Sequence, residues 1–177
     1  MLPVEPAAAA VPYLTAEPDG SWSFSLAEDA VVYGLGEMPR GINKRGWHYV
    51  ADNTDESHHG ENRLSYYGAH NFLLIDGGAG RSVFGVFVDF PGKVFYDIGY
   101  TRHDRLTFRT EEPDYDLYIL TGDSPNAVCT EFRKLIGHSY IPPNGPLVLP
   151  RAAGATRLPR TCAPSPASTA RTSCLWI

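Results

Sequence analysis

The sequence predicts a mainly β chain: an antiparallel β-sandwich with one C-terminal helix and a disordered tail. Three observations carry that prediction. Glycine occurs 17 times and proline 15 times in 177 residues, and aromatics make up 12%, a composition suited to short strands joined by turns. Short segments that alternate polar and apolar residues, or run continuously apolar, recur at close spacing between residues 21 and 120. One later segment, residues 124–137, carries helix signals at both ends.

In chain order, residues 1–20 are Ala- and Pro-rich and are expected to be a loose N-terminal segment, ending in the turn signal Pro18-Asp19-Gly20. Residues 21–123 form the expected sandwich. Ser21 to Leu26 alternates with period two, which turns Trp22, Phe24 and Leu26 toward a core. Val31-Val32-Tyr33 reads as the next strand. The polar run 56–63 reads as an exposed excursion. Asn71–Ile75 and Ser82–Val88 flank a glycine-rich turn and read as a hairpin. Lys93–Ile98, Arg105–Arg109 and Tyr115–Leu120 complete the strands, and Phe72, Phe84, Phe87, Phe95 and Phe108 are taken as core. Ser124 can cap a helix whose first residue is Pro125, and Gly137 ends it. Residues 124–143 thus read as a helix followed by a proline linker.

The chain is long enough for one domain with a single core. A net charge of −5 argues against a nucleic-acid partner, which calls for a basic footprint. Cys129, Cys162 and Cys174 form neither a disulfide framework nor a zinc spacing. The opening residues lack a signal-peptide pattern, and no stretch approaches the roughly 20 apolar residues of a membrane span. A cytoplasmic protein without a membrane partner is therefore expected. Gly34-Leu35-Gly36 and the 77–80 glycines lack the spacing of phosphate loops, so no nucleotide cofactor is expected.

The most distinctive stretch is Tyr33–Asp55, YGLGEMPRGINKRGWHYVADNTD. Its glycines suit turns and bulges, and its crowding of Trp, Tyr, Arg, Asn and Asp suits a polar-ligand loop held by strands. A solvated structural hairpin is the plainer alternative. His58, His59, Glu61 and His70 suggest a different class, a metal-dependent cupin-like enzyme. Adjacent histidines on a strand point to opposite faces, which counts against it, and no metal ligand is assigned.

YGLGE, NKRG, NTD, YGAHNFLL and FGVFVDFPGKVFYDIG, in this order and spacing, resemble the N-terminal, galactose-mutarotase-like β-sandwich of glycoside hydrolase family 31, which contains α-glucosidases and α-xylosidases. The resemblance covers about residues 31–143. It implies a parent that hydrolyses O-glycosyl bonds in an α-glucoside or α-xyloside. It also implies that the helix and the Tyr140-Ile141-Pro142-Pro143 linker lead toward a (β/α)8 barrel carrying both catalytic aspartates. No catalytic residue is therefore assigned to this chain, which is expected to be inactive alone. In the family, a sandwich loop reaches over the barrel mouth and its Asn-x-Asp aspartate binds sugar hydroxyls. On this sequence that residue is Asp55, with Ser57 assisting. Arg45 and Trp47 are added as residues that would stack on or bind a sugar. A stand-alone carbohydrate-binding sandwich is the alternative reading.

Residues 144–177 break the pattern. They contain Arg151, Arg157, Arg160 and Arg171, no acidic residue and no lysine, and show no structural period. Such a segment is expected to be disordered. Read one frame away from the third base of the Asn144 codon, NGPLVLPRAAGAT permits Trp-Ala-Phe-Gly-Ser-Ala-Gln-Ser-Arg-Trp-Gly-Tyr, which the resemblance would place at the first barrel strand. A reading-frame shift near Asn144 is thus expected to have truncated a longer hydrolase.

Overall fold

In the computed structural model, the structure describes residues 14–55, 57–78 and 82–141. Their strands form two antiparallel sheets. β1 (Leu14–Ala16), β2 (Trp22–Ser25), β8 (Arg105–Thr110), β7 (Val94–Ile98) and β4 (Trp47–Ala51) lie in that spatial order in one sheet. β3 (Val31–Gly36), β5 (Ala69–Asp76), β6 (Val83–Asp89) and β9 (Asp116–Gly122) lie in that order in the other. The helix α1 (Pro125–Ile136) follows.

The core between the sheets follows from the period of two. On β7, Val94, Tyr96 and Ile98 are buried and Phe95 and Asp97 are not, so one face is apolar and the other mixed. Register places Tyr96 between Tyr49 and Phe108, and Ile98 beside Leu106. The facing sheet contributes Val32, Leu73, Ile75, Val86 and Val88. Phe24 stacks near Phe108 and Phe84, joining the two layers. Leu26 is buried as expected, whereas Trp22 is only half-buried.

The helix is held at both ends as its sequence predicts. Ser124 Oγ accepts from Ala127 N at 3.2 Å, Pro125 opens the first turn, and Gly137 N donates to Arg133 O. Val128 is buried, and Phe132 stacks on Phe72 with centroids 4.0 Å apart. Phe87 meets the same Phe132 ring edge-on. Phe72 and Phe87 thus lie on the outer face of the four-stranded sheet, beneath α1, and not in the central core. Phe95 is not core either. It lies on the outer face of the five-stranded sheet with the Arg109 guanidinium 4.2 Å from its ring centre.

Two further elements depart from the sequence reading, and a third, the bulge that the YGLG glycines suit, lies within a longer β3. Leu14–Ala16, inside the segment expected to be loose, pairs with β2 as an edge strand. Trp47–Ala51, read as loop, pairs along its whole length with β7. The glycines of YGLG lie within β3, where the register shifts between Gly34 and Gly36. Leu35 occupies that bulge at φ 66, fully buried, and the burial of its side chain offsets the backbone strain. Residues 1–13 and the tail 144–177, with the expectations made for them, lie outside the described residues, as do Pro142 and Pro143 of the linker. No helix among the described residues is long and apolar enough to cross a membrane.

Candidate functional site

Two connections build the candidate site: residues 37–46, between β3 and β4, and residues 52–68, between β4 and β5. The first is secured from inside. Asn43 Oδ1 accepts from Val32 N at 3.2 Å and from Arg45 N at 3.1 Å, tying the loop back onto β3. Lys44 is 6% exposed, with Nζ 3.4 Å from the Pro39 carbonyl and 5.6 Å from the centre of the Tyr49 ring. Burial lowers its ammonium pKa; Glu61 opposes that shift and Arg40 adds to it.

Arg45 is placed the same way. Its guanidinium donates to the carbonyls of Ala27 (2.6 Å), Glu28 (2.8 Å), Ala30 (3.1 Å) and His103 (2.8 Å). These contacts point it into the fold, joining the β2–β3 turn to the β7–β8 turn. Trp47 remains 45% exposed, and its ring lies 4.3 Å from the Arg40 guanidinium. The cation on Trp47 is Arg40, seven residues before it, and not neighbouring Arg45. Arg40 sits at φ 71, and its Nη1 donates to the His48 carbonyl at 2.9 Å.

The second connection leaves the sandwich as two limbs held to each other. Val50 N donates to Leu64 O at 3.1 Å and Thr54 N to Tyr66 O at 3.1 Å. Asn53 Oδ1 accepts from Ala69 N at 2.6 Å, and Ser65 Oγ bonds the Asp52 carbonyl. Tyr66 is largely buried, and its hydroxyl donates to Gly60 O at 2.9 Å, bracing the return limb. Beyond these ties the chain turns to solvent. Asp55 and Ser57 are both exposed, and Ser57 Oγ lies 3.0 Å from His58 Nδ1. Asn53 has a positioning job, while Asp55 is two residues farther out.

At the root of this excursion lies an open cleft of about 550 Å³, lined among others by Asp52, Asn53, Asn71, Lys93 and Glu111. Lys93 Nζ is 3.1 Å from Asp52 Oδ2, and Lys93 N donates to Glu111 Oε2 at 3.3 Å. The hydrogen bond and charge of Asp52, followed by Glu111, hold the Lys93 ammonium pKa above its ordinary value. Asn71 Nδ2 donates to Phe90 O at 3.2 Å, and its Oδ1 is 3.5 Å from the Tyr96 hydroxyl. Burial pushes that phenol's pKa up. The cleft therefore offers carboxylate acceptors, an ammonium donor and amides, a mixture suited to hydroxyl groups. Lys93, Asn71 and Glu111 went unnoticed in the sequence. Asn71 lies inside β5, Lys93 just before β7 and Glu111 just after β8, and the Val94–Thr110 register brings Lys93 beside Glu111.

The histidines do not form a ligand set. His59 packs its ring against Tyr66 and Tyr67, with centroids 4.9 and 5.5 Å away. Among the described residues, no three His, Cys, Asp or Glu side chains gather to hold a metal.

Residues 13–97 match the sequence model of the glycosyl hydrolase 31 N-terminal galactose mutarotase-like domain. The chain is 29% identical over 119 residues to the α-xylosidase XylQ of Lactiplantibacillus pentosus, covering 67% of this chain and 15% of that protein. It is 31% identical over 123 residues to a probable maltase-glucoamylase 2 of Homo sapiens, covering 68% of this chain and 5% of that one. Among solved structures it superposes on the cycloalternan-degrading enzyme of Trueperella pyogenes at a TM-score of 0.61 and 20% identity, over 70% of this chain and 18% of the enzyme. That enzyme has also been solved with isomaltose. This chain thus spans a small part of each relative it matches.

Proposed function

Because residues 13–97 belong to the N-terminal galactose mutarotase-like domain of glycosyl hydrolase family 31, we propose that this chain is the substrate-loop-bearing flank of an α-glycosidase acting on carbohydrate. Asp55 is the sugar-binding residue of the loop, and Ser57 assists it. The observation that carries this reading is the division of labour along the motif. Asn43, Lys44, Arg45 and Asn53 are turned inward or tied to backbone, while Asp55 stands exposed on a braced excursion. A carboxylate accepts from hydroxyl groups and cannot donate. Each such bond is worth about 1.5–3 kcal/mol once water is excluded.

In this reading the chain does not hydrolyse glycosides alone, because the family's catalytic aspartates belong to the barrel that the resemblance places after the linker. Retaining hydrolysis requires two carboxyl groups about 5–5.5 Å apart, one on each side of the scissile bond. Assaying the purified 177-residue chain with 4-nitrophenyl α-glucoside and α-xyloside tests this, and the expected result is no turnover above buffer. Turnover that copurifies with the chain would overturn it.

The frame shift near Asn144 is part of the same proposal. Sequencing the gene across codon 144 should reveal barrel sequence in the shifted frame, and unrelated sequence there would remove it. In a protein with the frame restored, Asp55→Ala should lower kcat/KM about ten- to hundred-fold, as expected for the loss of one charge-assisted bond. An unchanged value would take Asp55 out of the pocket.

A further inference from the structure

We propose that the outer face of the five-stranded sheet carries a second site, for a neutral carbohydrate of one or two pyranose rings. The site goes beyond the Asp55 reading and stands without it. A groove of about 440 Å³ runs across β4, β7 and β8, lined by His48, Val50, Leu64, Phe95, Asp97, Thr107 and Arg109, with Asp19 at one end. Its volume is within the range of small-ligand sites, about 300–1,000 Å³.

The location is unusual for an outward sheet face. Alternation should leave short polar side chains there, yet Phe95 stands on it, and Leu64 reaches it from the excursion while 45% exposed. Leu64, Val50 and the Phe95 ring beneath Arg109 give the groove its apolar lining. The rim carries both signs of charge. The Arg109 guanidinium carbon lies over the Phe95 ring, 4.2 Å from its centre, and the group carries N–H donors only. Asp97 is fixed by the amides of Tyr100 (3.0 Å) and Thr101 (3.2 Å), which seat Oδ1. Its Oδ2 also accepts from Thr101 N at 3.3 Å and faces His48 Nδ1 at 3.8 Å. Asp19 Oδ1 accepts from Ser21 N at 3.0 Å and Ser21 Oγ at 2.6 Å, so it too is held in one place.

A rim of two carboxylates, one guanidinium, an imidazole and the Thr107 hydroxyl sets hydrogen-bond acceptors beside donors. It matches a ligand whose hydroxyls donate and accept at once and whose ring has an apolar C–H face. A neutral sugar has that chemistry.

The test is a titration of the ¹⁵N-labelled full chain with isomaltose and with maltose, followed by amide shifts. Saturable shifts at His48, Val50, Asp97 and Thr107 are expected. They should persist in Asp55→Ala, and affinity should fall about ten-fold in Asp97→Asn and in Arg109→Gln, each losing one charged hydrogen-bond partner. Asn keeps the oxygen that the Tyr100 and Thr101 amides need, and Arg109 is exposed, so both variants should fold, as their own amide spectra will show. No saturable shift with either sugar, or shifts that map elsewhere, would overturn the proposal. So would inorganic phosphate binding here more tightly than the sugars.

Discussion

The Arg45 guanidinium donates to the His103 carbonyl at 2.8 Å, across 58 positions of chain, while its other arm holds three carbonyls of the turn between β2 and β3. One side chain thus fastens three connections at the same end of the sandwich. A planar fork can satisfy several acceptors that an ammonium cannot reach together. Arg45→Lys should therefore cost about 2–3 kcal/mol, seen as a lower midpoint in urea with an unchanged slope. A loss below the error of the measurement would mean that water replaces these bonds freely.

Phe132 fastens the helix. Its ring lies nearly parallel to Phe72 at 4.0 Å and edge-on to Phe87 at 5.2 Å. Phe132→Ala should destabilise α1 by about 2 kcal/mol, less than a fully buried Phe because the ring is only half-buried. Hydrogen exchange should speed up through residues 125–136 and stay slow in β5 and β6.

Gly36 and Gly46 make a matched pair. Both have positive φ, 71° and 88°. A Cβ at Gly36 would lie 2.3 Å from the Gly68 carbonyl oxygen, while one at Gly46 would meet nothing within 4 Å. Gly46→Ala should cost only the backbone term, about 1 kcal/mol. Gly36→Ala should cost at least twice that and shift the amide resonances of residues 66–70, where the return limb meets β3. Equal losses in thermal unfolding would refute the clash.

Lys44 gives a pH signature. Burial lowers its pKa in the folded chain, so between that lowered value and the ordinary lysine value the unfolded chain binds more protons. Stability contributed by this site therefore rises with pH through that window, and the burial penalty is largest below it. Comparing the native chain with Lys44→Met from neutral pH upward should show the native chain gaining on the variant. A constant difference would mean that Lys44 keeps its ordinary pKa in the fold.

The sandwich was legible because its strongest signals are local. The period of two in Arg105–Thr110 fixes which of its side chains face inward, and Ser124, Pro125 and Gly137 write both ends of α1 into neighbouring residues. β4 was missed because Trp47 and His48 carry the composition of a loop. Its strand conformation comes from pairing with β7, which local sequence does not encode. The motif around NKRG and NTD marked the right region and left open what each polar group does.

The sequence by itself determined the two-layer β architecture, the capped helix and the stretch that bears the loop, since alternation, turn residues and caps act over a few positions. Tertiary structure alone decided that Arg45 joins the β2–β3 and β7–β8 turns, that Arg40 and not Arg45 covers Trp47, and that Phe95 faces outward beneath Arg109. It also brought Asn71, Lys93 and Glu111 to one cleft. Those outcomes depend on strand register and on carbonyls far apart in the chain, and a hydrogen bond forms with whichever partner the fold places within reach.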